Sequence, residues 1–165
     1  MQAYHTEDYT DSEGQRFRIE HHYDWDAAPP WEQCDGHGPV SDWTNRDKHP
    51  GELVLNSDRH GYKRFYDFQH AIKLAREEDW GCASLLPKHE RGEALERAVR
   101  ADYEYLKAWC DDKWHYMGIE VFPLTEDGDE LRSKSQSIWG IESESDPAGI
   151  QDVTEALLRE AGAEL

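Results

Sequence analysis

From Arg16 to Tyr23 apolar and polar residues alternate, which places Phe17, Ile19, His21 and Tyr23 on one face of a predicted strand. Residues 24–51 keep neither a two-residue nor a helical period and are rich in Asp, Gly, Pro and Trp, so they predict a long ordered loop anchored by Trp25, Trp31 and Trp43. A β-hairpin is expected from residues 52–55 and 62–66, joined by the turn NSDRHG. Asp67 stands at an N-cap position before Phe68, Ala71, Ile72 and Ala75, which recur at helical spacing and predict a helix over 68–79 that stops near Gly81. A second helix over 92–111 carries Leu95, Ala98, Val99, Leu106 and Trp109 on one stripe.

Strand periodicity returns from Trp114 to Leu124 and again from Ser135 to Glu142, around the polar turn TEDGDE. Asp146-Pro147 then opens a C-terminal helix whose apolar stripe is Ile150, Val153, Leu157 and Ala161. The order of elements predicts an α+β fold. Its antiparallel sheet has four to five strands, two hairpins plus an N-terminal strand, with three helices packed on one face. Residues 1–15 lack an apolar face and predict a flexible acidic segment ahead of a single domain over 16–165.

Composition changes this picture in one respect. Of 165 residues, 36 are acidic and 18 basic, a net charge of −18, yet seven Trp, eight Tyr and four Phe supply enough aromatic surface for a folded core. Residues 1–50 carry a net −7, residues 51–110 a net −1 and residues 111–165 a net −10, so the two ends supply the acidity. Such a surface argues against direct nucleic-acid binding and for a basic partner. Nothing resembles a membrane span or a leader, and Cys34, Cys82 and Cys110 are too scattered for a disulfide framework. The expectation is a cytoplasmic protein.

Neither a nucleotide-binding glycine loop nor a nucleophile elbow or zinc-protease helix is present, so no catalytic residue, metal ligand or cofactor is assigned. One alternative uses the Asp- and His-rich region 21–37, with Asp24, Asp26, Asp35 and His37 serving a metal-dependent hydrolase or nuclease. The pair Cys34 and His37 has the spacing of half a zinc site, without an evident second half.

Several segments carry a resemblance: DGHGPVSDW over 35–43, RDKHPGELVL over 46–55, RFYDF over 64–68 and SIWGIES over 137–143. Together they resemble small acidic accessory proteins of bacteriophages and prophages. That resemblance implies a product made inside a bacterial host cell, akin to inhibitors of host defence such as anti-restriction and anti-CRISPR proteins. The expected activity is inhibition of a basic, nucleic-acid-binding host complex, through a negative surface that imitates DNA. Candidate partner-binding carboxylates are Asp24, Asp26, Asp35, Asp42, Glu126, Asp127, Asp129, Glu130, Glu142, Glu144 and Asp146, with Trp25, Trp31 and Trp43 as aromatic anchors.

Overall fold

A computed structural model describes residues 2–165. The chain is α+β, with a four-stranded antiparallel sheet, a separate two-stranded sheet and four α-helices among these residues. It divides into two compact units, one from residues 1–27 and 114–165, the other from residues 28–113. The strands that the sequence placed in one sheet are divided between two sheets.

In the first unit the strands β1 (His5–Thr10), β2 (Arg16–Tyr23), β5 (Tyr116–Pro123) and β6 (Gln136–Glu142) lie in the order β1-β2-β5-β6. The segment expected to be flexible therefore contains an edge strand, held in register from His5 opposite His21 to Thr10 opposite Arg16. Helix α4 (Pro147–Glu160) packs on one face of this sheet. Asp146 caps it by accepting the Ala148 N–H at 3.4 Å, and Pro147 sits where no N–H is needed. Phe17, Ile19, Met117, Ile119 and Val121 meet Leu157 and Leu158 there, the alternation read from the sequence now facing a helical stripe.

The second unit is built on the hairpin β3 (Glu52–Ser57) and β4 (Lys63–Asp67) with helices α1 (Pro30–Gln33), α2 (Phe68–Glu77) and α3 (Lys88–Cys110). Leu55, Tyr66, Ala71, Ala75, Val99 and Leu106 form its core. Asp67 accepts the His70 N–H at 3.0 Å and so caps α2. The loop before the hairpin is pinned to it through Val40 opposite Tyr66 and Thr44 opposite Lys63. Among the described residues no helix is long and apolar enough to cross a membrane.

Candidate functional site

The fold brings the two acidic ends of the chain into one unit. Residues 1–27 and 114–165 hold 19 acidic against 5 basic residues, a net −14, whereas residues 28–113 hold 17 against 13, a net −4. Within the first unit the carboxylates separate by position along the strands. The turn after β1 with Glu13, the turn after β5 with Glu126, Asp127 and Asp129, and Glu164 lie at one end of the sheet. There the Ser12 N–H donates to the Glu164 carbonyl and the Leu124 N–H to the Arg16 carbonyl. Asp24, Asp26, Glu142, Glu144 and Asp146 lie at the opposite end, where Tyr23 pairs with Met117 and Tyr116 with Glu142. At about 3.3 Å per residue, strands of this length hold the two groups roughly 25 Å apart.

Between them the charge is largely compensated. Asp8 pairs with Arg16 and Arg18, Glu130 with Arg18 and Arg132, and on α4 Glu155 pairs with Arg159. The guanidinium contacts hold the Asp8 and Glu130 carboxyls below the usual carboxylate range. Within the first unit these pairs interrupt the run of unpaired carboxylates between the two ends of the sheet. Glu130, expected as a docking carboxylate, is committed to two arginines, and Asp24 accepts the Gly140 N–H at 3.0 Å.

The end carrying Asp24 and Asp26 also holds an aromatic cluster. Trp25 is 76% exposed and stacks on Tyr23 with ring centroids 5.0 Å apart. Tyr23 in turn meets Tyr4 at 4.7 Å and His115 at 4.3 Å, and the Tyr4 hydroxyl donates to Met117 Sδ at 3.0 Å. The platform beneath Trp25 is thus fixed by the sheet, while the indole itself faces solvent.

Asp35, Asp42, Trp31 and Trp43 belong to the second unit. Trp31 is half-buried against Trp109, and the Arg64 guanidinium lies 5.1 Å from its ring and 4.3 Å from that of Trp43. Both indoles are engaged within their own unit, which leaves Trp25 as the most exposed of the three expected anchors. His37 is likewise occupied: its Nδ1 lies 2.6 Å from Asp102 Oδ1, while the other carboxylate oxygen accepts the Gly38 N–H at 2.8 Å and the Tyr66 hydroxyl at 2.7 Å. Burial and the neighbouring carboxylate raise the Tyr66 pKa. Asp24 and Asp26 belong to the first unit, and Asp35 and His37 to the second. Cys34 is exposed, and Cys110 is half-buried, with burial pushing its thiol up to about 11.

A different group of donors is assembled on the sheet face opposite α4. Glu20 and Glu120 stand directly opposite each other on β2 and β5. Two like charges so placed repel, and Arg132 relieves this by donating to both Glu20 oxygens at 3.0 and 3.2 Å and to Glu120 at 3.4 Å. His22 lies on the same face, with Nε2 3.1 Å from Glu20 and 3.5 Å from Glu120. Among the described residues this is the one group of three or more His, Cys, Asp or Glu side chains close enough to share a metal ion.

Comparison of the chain with models of known protein families, with curated proteins and with solved structures returned no match.

Proposed function

We propose that this chain is an acidic binding protein that engages a basic, nucleic-acid-binding protein of a bacterial host and blocks its working surface. The observation that carries this reading is the exposed Trp25 on its Tyr23–Tyr4 platform, at the same end of the sheet as the exposed carboxylates Asp26, Glu144 and Asp146, in a unit with net charge −14. Charge complementarity steers encounter and orients the partners, whereas a desolvated aromatic anchor supplies affinity. An exposed aromatic on the same sheet end as several carboxylates fits an Arg- and Lys-rich groove, where a guanidinium can stack on the indole and pair with a neighbouring carboxylate. The resemblance to phage accessory proteins supports a host-cell target.

This reading favours occupation of a basic surface from one end of the sheet over imitation of a DNA strand along its length. Affinity capture tests it. The immobilised chain should retain a cationic nucleic-acid-binding protein from bacterial lysate at low salt and release it at high salt. Retention of no basic protein, or retention indifferent to salt, contradicts the reading.

A further inference from the structure

We propose that Glu20, His22 and Glu120 form a binding site for one divalent transition-metal ion, of the Zn²⁺ or Mn²⁺ type, independent of the docking end described above.

The first reason is the state of His22. Its side chain is 3% exposed, and neither ring nitrogen has a hydrogen-bond partner among the described residues. A buried polar group left in that condition destabilises the fold unless a further ligand satisfies it. Nε2 nevertheless points into the space between two carboxylates, at 3.1 Å from a Glu20 oxygen and 3.5 Å from a Glu120 oxygen. The approach is close, but its direction is wrong for an N–H to be donated.

These separations suit a shared ion. Metal–nitrogen and metal–oxygen bonds of about 2.1 Å, opened to octahedral or tetrahedral angles, put neighbouring donor atoms about 3.0–3.4 Å apart. One imidazole with two carboxylates is a mixed nitrogen and oxygen set, which suits zinc, manganese or ferrous iron better than the all-oxygen preference of calcium or magnesium. Three protein donors also leave at least one coordination position for water or a ligand.

Charge leads to the same site. Glu20 and Glu120 share a single guanidinium, and Arg132 divides its donors further by pairing with Glu130 at 2.8 Å. A dipositive ion balances the two opposed carboxylates and leaves Arg132 to Glu130 and to the face of Phe122, over which it already lies at 4.4 Å. The walls are equally defined. Trp139 lies across Gly118 on the same sheet face, with its ring centroid 5.9 Å from that of His22, and so closes one side. Glu120 and Arg132 are the more accessible members and mark the way in.

The test is metal binding by the full chain. Equilibrium dialysis against Zn²⁺ alone should give one equivalent per chain, and Co²⁺ should produce visible absorption bands of a site with a nitrogen donor. H22Q and E120Q should each weaken affinity at least tenfold, while H5A and H60A, which alter exposed histidines away from the cluster, should leave it unchanged. E120Q touches the more exposed ligand and keeps the test decisive should H22Q fail to fold. Mn²⁺ added to the wild-type chain should broaden the His22 ring and Trp139 indole NMR signals first. Sub-stoichiometric zinc, full affinity in E120Q, or broadening centred on other residues would overturn the proposal.

Discussion

Trp139 lies flat across Gly118, its indole filling the space that a β-carbon on Gly118 would occupy. The two residues meet at the irregularity between β5 and β6, where the register shifts between Met117 and Ile119. A glycine is required at this point for steric reasons, since its φ is not in the left-handed region. Gly118→Ala should therefore lift the indole from the sheet and destabilise the first unit by about 1–3 kcal/mol. Urea unfolding followed by Trp fluorescence checks this, with a red shift expected in G118A that disappears in the W139F background.

Asp102 holds the loop around His37 and Gly38 to helix α3 and to β4 with one carboxylate. Removing it in Asp102→Ala strands a backbone N–H and a buried hydroxyl, each costing about 1–3 kcal/mol. Tyr66→Phe removes a donor without leaving a buried one behind and should cost only about 1 kcal/mol. Equilibrium urea denaturation of both variants gives the comparison, and equal losses would show that Asp102 does not act as a hub.

The pH dependence of stability has an identifiable contributor in the second unit. Arg46 donates to both Glu52 oxygens, at 2.9 and 2.7 Å, and holds the carboxyl down at about 2 against an ordinary value near 4.5. A folded-state value below the unfolded one means that the Glu52 contribution is complete above about pH 4.5 and is lost as the pH falls towards 2. Glu52→Gln should lower stability at neutral pH and flatten its decline between pH 4.5 and 2, measured as urea midpoints across that range.

Trp25 is exposed to 76% and covers no core residue. Trp25→Ala should shift unfolding stability by no more than about 0.5 kcal/mol, while weakening partner binding at least tenfold if the indole is the anchor. Parallel unfolding and binding titrations separate the two roles.

Much of the fold was legible because its elements satisfy local rules. Phe17 and Ile19 alternate with polar neighbours, Asp67 and Asp146 cap the helices they precede, and Leu95, Val99 and Leu106 keep a helical stripe. Strand β1 escaped because its residues are nearly all exposed, so no apolar alternation marks it; only its pairing with β2 makes it a strand. The hairpin of Glu52–Ser57 and Lys63–Asp67 looked like part of the main sheet because nothing local tells which strands a hairpin will join.

The candidate sites were legible only in part for the same reason. Residues 1–27 and 114–165, with net charges of −5 and −9, come into one unit through the pairing of β2 with β5. Glu20 and Glu120 are a hundred positions apart and meet through that register, and Asp102 reaches His37 across 65 positions. Trp31 meets Trp109 and Arg64, and Trp43 meets Arg64, long-range contacts that no local pattern marks.

The docking end is tested most directly by the salt dependence of association between the purified chain and the basic protein it captures. Affinity should fall as salt rises, and the double variant D26N/E144Q should lower both the affinity at low salt and the steepness of that fall. The pair E126Q/D127N, at the opposite end of the sheet, should change either far less. Equal effects from the two pairs, or a salt-independent affinity, would contradict a binding face centred on Trp25.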